Sequence, residues 1–206
     1  MKSKFKNIFS PFIWTTSIQE HNKLKSYMLP QIEQGRAQGD NSPDWYVDTS
    51  YDMDHTIDWW PCIEVYKKYV NEFHNEYFGQ YPNWQISGEP WYTAYGKNQS
   101  AQVHDHIPDH FSVLHLLKYD KEVHKPTTFI NPLQSLGRAL YTQGPIADLL
   151  RSSQDFRGNG TLFNNWFFSE AKEGDIVIWP SVLEHFVQKN EVDDLRATIA
   201  FNYLIE

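Results

Sequence analysis

The chain has 206 residues and a formal net charge of −8, long enough to bury a sizeable core within one domain spanning residues 1–206. That acidic balance argues against nucleic acid as a partner, because phosphate contacts need a basic surface. The single cysteine, Cys62, excludes an internal disulfide and any cysteine-based zinc cluster, and it fits a reducing, cytoplasmic setting.

No stretch approaches the length of a bilayer span, so no membrane association is expected. The opening MKSKFKNIFSPFIW places lysines before apolar residues, as a secretory leader does. Asn7, Ser10 and Pro11 interrupt the apolar run, however, and no small-residue cleavage site follows. The expectation is instead a short strand, Phe9 to Trp14, at a sheet edge because Pro11 cannot donate to a ladder.

Thr15, Thr16 and Ser17 offer capping oxygens to a helix from Ile18 to Ile32, with Leu24, Met28 and Ile32 at helical spacing. Pro30 should kink or end it. Residues Gln34 to Pro43 read as an exposed polar loop. The longest helix is expected over Asp58 to Phe78, where a broad apolar stripe runs from Ile63 to Tyr77 and Gly79 supplies a left-handed stop. His55 and His74 lie on or near it and read as structural.

Strands follow at Trp84 to Ile86 and Trp91 to Tyr95. A polar turn from Gly96 to Ser100 then leads into a strand bearing His104. Phe111 to Leu117 is almost wholly apolar, as expected of a strand covered on both faces, and His115 within it reads as a core histidine bonded to a neighbour. A charged loop over Lys118 to Pro126 precedes a short strand at Phe129 to Pro132. Leu133 to Asp155 suggests two short helices around Gly144 and Pro145, inserted between strands and placed to act as a lid. Asn159 and Gly160 mark a turn, and a strand is expected at Leu162 to Phe168. In the tail, Ile176 to Trp179 reads as a buried strand ended by Pro180, with His185 in the loop beyond. A last strand carries Arg196, Thr198 and Ala200 on one face and Ala197, Ile199 and Phe201 on the other. Strands with helices near the N-terminus suggest a mainly β (α+β) fold, an antiparallel double-sheet roll with the helices against one sheet.

The chemistry-bearing residues fall in two places. His104 and His106 are two apart, so an extended backbone turns both to one side and Asp105 away; Asp109 and His110 follow Pro108. His185 offers a third imidazole. Imidazole and carboxylate ligands on one face of a divalent ion, with the other positions open, are what an iron site requires. Arg196, on an otherwise apolar strand, is costly to bury unless it meets an anion. Either an internal carboxylate such as Asp193 or Asp194 neutralises it, or a bound dicarboxylate does, chelating the metal at one end and pairing with the guanidinium at the other.

These segments resemble the 2-oxoglutarate- and Fe(II)-dependent oxygenases with a double-stranded β-helix (jelly-roll) core, nearest the prolyl-4-hydroxylase-like branch and its small bacterial and phage members. The likeness rests on IFSPFIW near the start, Tyr95 to His106, FINP at Phe129 to Pro132, and above all the tail: Gly174-Asp175, an apolar strand, Trp179-Pro180-Ser181, His185, then Arg196 and Thr198. The resemblance implies Fe(II) held by His104 and His185, 2-oxoglutarate anchored on Arg196 and Thr198 with Tyr95 lining its site, O2 as co-reactant, and release of succinate and carbon dioxide as a small-molecule or peptidyl substrate is hydroxylated. Asn98 stands where the family often has glycine, which its tolerance of left-handed geometry allows. His106 stands where the family usually has a carboxylate. It could bind directly, Asp109 or Asp105 could replace it, or the site could be silent. The competing readings are a non-catalytic or zinc-binding jelly-roll module, and a cupin-type three-histidine dioxygenase that gives Arg196 and Thr198 no role. Neither the prime substrate nor the oligomeric state is legible in the sequence.

Overall fold

In chain order, the computed structural model contains β1 (Trp14–Ser17), α1 (His21–Gln38), β2 (Asn41–Ser42), β3 (Val47–Thr49), α2 (Trp60–Phe78), β4 (Trp84–Tyr95), β5 (Ala101–His104), β6 (Phe111–Lys118), β7 (Thr127–Ile130), β8 (Trp166–Phe168), β9 (Asp175–Pro180), β10 (His185–Val187) and β11 (Arg196–Ile205). The structure describes residues 11–38, 41–42, 46–51, 57–132 and 166–206. The expected lid at Leu133 to Asp155, the turn at Asn159 and Gly160, and His55 lie outside them.

Two antiparallel sheets form the double-stranded β-helix. The larger runs β1-β9-β6-β11-β4-β3-β2 and the smaller β5-β10-β7-β8. Strand alternation explains how they divide the apolar residues. On β9, Ile176 and Ile178 join the cluster built with α1 and α2, while Val177 and Trp179 point the other way, into a second cluster with Leu116, Phe129 and Leu183. On β11, Ala197, Ile199, Phe201 and Tyr203 face the helices. That leaves Arg196 and Thr198, both buried, on the side of the smaller sheet.

Several elements differ from expectation. Thr15 to Ser17 belong to β1, paired with β9 from Trp14 opposite Ile178 to Ser17 opposite Asp175. They therefore do not cap α1, which starts at His21. Pro30 does not end that helix, and the helix absorbs part of the expected loop by running on to Gln38. Leu24, Met28, Ile32 and Gly35 are all buried along one side, and this packing outweighs the lost backbone hydrogen bond. The two strands expected around Ile86 and Tyr92 are one strand, β4. Gly88, at φ +75°, marks its irregularity, and the pairing with β11 shifts between Ala200 and Asn202. β7 begins two residues earlier than read. His185 lies in a strand rather than a loop. α2 matches its expected span within two residues, and Gly79 adopts the left-handed conformation at φ 68°.

His115 is fully buried. Its Nδ1 meets the Tyr66 hydroxyl at 2.8 Å and its Nε2 meets His21 Nδ1 at 3.0 Å. His74, equally buried, bonds to the Tyr203 hydroxyl at 3.0 Å. Both are core histidines, as the sequence suggested. No helix among the described residues is long and apolar enough to cross a membrane.

Burial pushes His115 down to about 3 and His74 down to about 4, from an ordinary 6.5. The folded chain therefore favours neutral rings that the unfolded chain protonates more readily. Their contribution to stability is complete above pH 6.5 and is lost as the pH falls through about 4 towards 3. Thermal unfolding between pH 8 and 4 should show a falling Tm on the acid side. A Tm that holds steady or rises would contradict this.

Candidate functional site

Cross-strand pairing builds the site. β10 runs antiparallel to β5 with His185 opposite His104, and the two rings stand 4.3 Å apart, centroid to centroid. His106 lies just past the end of β5, where its backbone N–H donates to the Ser181 carbonyl at 2.9 Å. Its ring is 5.0 Å from that of His104 and 5.1 Å from that of His185. The three side chains offer nitrogen ligand atoms all within 4.8 Å of one another. Asp105 and Asp109 stand outside that cluster. The Asp105 carboxylate accepts the Ile107 backbone N–H at 3.1 Å, and Asp109 lines the neighbouring cavity.

Two of the three rings are oriented from behind. His104 Nδ1 lies 2.7 Å from the Gln102 carbonyl and His185 Nδ1 lies 3.1 Å from that of Leu183. A carbonyl accepts only, so each Nδ1 carries the proton and each Nε2 carries the lone pair. Burial lowers all three histidines, and repulsion from neighbouring imidazoles adds to it for His106 and His185: His104 is depressed, His106 falls to about 4, and His185 lies well below its ordinary value. Three neutral imidazoles are the protonation state that coordination demands, and imidazole suits iron among other transition metals. The donor set therefore fits an iron ion.

Arg196 sits opposite Tyr95 in the β11–β4 register. Its guanidinium lies over the Tyr95 ring at 4.6 Å and over the Tyr119 ring at 5.7 Å. Nη2 donates to Thr127 Oγ1 at 2.9 Å, whereas Nε is buried with no hydrogen-bond partner. No carboxylate among the described residues pairs with it. Asp193 is paired with Lys97, and Asp194 with Lys118 and His124. Neither Asp193 nor Asp194, nor any other described carboxylate, compensates this charge, and a buried cation left this way among the described residues fits an incoming anion.

Thr198 is buried beside it, but its hydroxyl donates to the Thr93 carbonyl at 3.2 Å. Thr127 and Tyr119 went unnoticed in the sequence. Nothing in the stretch KPTTF marks one threonine over the other, and only the pairing of β7 with β10 turns Thr127 towards the guanidinium. A cavity of about 250 Å³ opens beside the histidines; Tyr95, His104 and His106 line it together with Trp91, Thr93 and Asn202.

The comparisons with known proteins agree with this geometry. Residues 89–202 match a family model described as "Putative 2OG-Fe(II) oxygenase". The chain belongs to that family. It is an oxidoreductase of the class that uses iron and 2-oxoglutarate. No curated protein matches it in sequence. Among solved structures, a Pseudomonas putida prolyl-4-hydroxylase shares 8% identity over 94% of this chain and 92% of its own, with a TM-score of 0.57. A viral collagen prolyl hydroxylase from Paramecium Bursaria Chlorella virus-1, in complex with 2OG, shares 10% identity over 93% and 94%, with a TM-score of 0.54. Both are likenesses of fold. A 2OG-Fe(II) oxygenase family oxidoreductase from Burkholderia pseudomallei aligns at 12% identity and a TM-score of 0.42, over 65% of this chain and 49% of its own, so the chain spans about half that relative's length.

Thr127→Val would leave the buried Nη2 without its acceptor. It should lower stability by about 1–3 kcal/mol, read as a reduced urea midpoint in the ligand-free protein, and an unchanged midpoint would show that the contact contributes nothing.

Proposed function

We propose that this oxygenase hydroxylates a small-molecule or peptidyl substrate, with His104, His106 and His185 holding Fe(II) and Arg196 anchoring 2-oxoglutarate. The observation that carries the proposal is a buried guanidinium, unpaired by any carboxylate among the described residues, lying over the ring of Tyr95, which lines the same cavity as His104 and His106 of the imidazole cluster. When bound, the iron supplies the oxygen chemistry that couples decarboxylation of 2-oxoglutarate, giving succinate and carbon dioxide, to oxidation of the substrate.

The chain's own residues bind, orient and exclude water. The Gln102 and Leu183 carbonyls fix the tautomers of His104 and His185, so each Nε2 would bind an ion without a tautomer change. The guanidinium offers Nε to one carboxylate oxygen of the cosubstrate. Thr127 Oγ1 already accepts from Nη2, so its own proton is available to the other oxygen. Thr198 is committed to the Thr93 carbonyl and helps hold β11 against β4. The rings of Tyr95 and Tyr119 flank the guanidinium and keep it from water, which strengthens the charge-assisted bond. Using His106 in place of a carboxylate leaves the ligand set one unit more positive; one carboxylate of 2-oxoglutarate would offset the ion's charge while the other meets Arg196. The prolyl hydroxylases among the fold neighbours support a peptidyl substrate only by analogy.

A zinc-binding module and a cupin-type dioxygenase both leave Arg196 buried with no anion to meet, so the geometry favours the 2-oxoglutarate reading over either.

With Fe(II) and 2-oxoglutarate, the wild type should release succinate and consume oxygen, and His185→Ala should abolish metal binding measured by calorimetry. Arg196→Met should weaken 2-oxoglutarate by about 2–5 kcal/mol, roughly thirty-fold or more in apparent KM. Activity that needs no 2-oxoglutarate and is unchanged in that variant would support a cosubstrate-free dioxygenase instead.

A further inference from the structure

The cavity beside the histidines differs from the surroundings of Arg196 in the sign of its charge. Of the described residues that line it, none is Lys or Arg, while Asp105 and Asp109 both contribute to its wall. Neither carboxylate has a cationic partner among the described residues. Asp105 is held in place by the Ile107 N–H, and Asp109 by its own backbone N–H, which donates to the His106 carbonyl at 3.0 Å.

Asn202 adds a neutral acceptor to the same wall. It is more than nine-tenths buried, and its Oδ1 has no hydrogen-bond partner. A buried acceptor in that state calls for a donor from a ligand. The apolar part of the lining is aromatic: Trp91 lies 5.7 Å from the His106 ring and packs edge-on against Tyr51 at 5.1 Å. Aromatic faces, paired carboxylates and an unmet acceptor together form the environment that recognises an organic cation. At about 250 Å³, the cavity suits a single side chain or a small amine rather than a large ligand.

We propose that this cavity binds a positively charged substrate group, an alkylammonium or a guanidinium, with Asp105, Asp109 and Asn202 as its acceptors. The proposal rests on the oxygenase reading, which makes this cavity the one where substrate meets the metal. It also separates the two ligands by charge. The anionic cosubstrate goes to Arg196, which does not line the cavity, and the cationic group goes to the carboxylate wall. The chain's net charge of −8 draws such a substrate in and repels an anionic competitor.

The test is a titration of the anaerobic Fe(II)–2-oxoglutarate complex, whose formation is followed by its visible absorbance. The probes are butylammonium, propylguanidinium, 1-butanol and butyrate, with binding read by calorimetry. A cation bound at least ten-fold more tightly than both 1-butanol and butyrate, with the preference lost in an Asp105→Asn, Asp109→Asn double variant, supports the proposal. Equal or tighter binding of 1-butanol or butyrate overturns it, as does failure of every probe to bind a complex that has formed. Survival of the cation preference in the double variant overturns the assignment of the wall. Failure of the iron and 2-oxoglutarate complex to form overturns the oxygenase reading itself, and the substrate proposal with it.

Discussion

The register of β11 is the constraint on which the rest of the molecule depends. One of its faces carries Ala197, Ile199, Phe201 and Tyr203 into the apolar cluster under the helices, and the other carries Arg196 and Thr198 towards the smaller sheet. Because side chains alternate with a period of two, a slip of one residue would drive a guanidinium in among Tyr66 and Phe73. β11 is pinned from both sides, by β4 with Arg196 opposite Tyr95 and by β6 with Ile199 opposite His115. The pairings that protect the core are therefore the same ones that place the cation.

Electrostatics then divide the interior. Arg196 is buried between two tyrosine rings with a threonine as its neutral partner, which leaves its charge uncompensated by the described residues of the protein. The imidazoles of the cluster are held neutral by burial, helped at His106 and His185 by the neighbouring rings. Two carboxylates, Asp105 and Asp109, line the cavity wall beside them. A guanidinium lying over Tyr95 and two aspartates on the cavity wall shared with His104 and His106 give the site groups of opposite charge, so two ligands of opposite charge need not compete for one place.

Histidines serve two unrelated purposes in this chain, and their hydrogen bonds tell them apart. His115 spends both ring nitrogens on protein partners, Tyr66 and His21, and has none left for a metal. His185 gives one nitrogen to a backbone carbonyl two residues earlier in the chain and, among the described residues, keeps the other for a ligand. Burial alone does not separate these groups, since His115 and His185 are both inside. What the second nitrogen meets does separate them.

The strands and helices with a strong apolar period were legible in the sequence, α2, β6, β9 and β11 above all, because burial of one face imposes its repeat on the residues themselves. So were the residues that converge, since His-x-His, a distant histidine and a lone arginine on an apolar strand each break a pattern that would otherwise be hydrophobic. The sequence misplaced what depends on contacts between distant segments: Thr15 to Ser17 joined a strand because β9 offered them partners, and α1 ran past Pro30 because its apolar side was already packed. Tertiary structure alone decided that His104 and His185 face each other across a strand pair, that Asp105 and Asp109 stand apart from the cluster, and that Thr127 rather than an aspartate meets Arg196. Local sequence encodes which face of a strand is apolar. Which residue lies opposite is set by the pairing of strands far apart along the chain, and no local pattern records it.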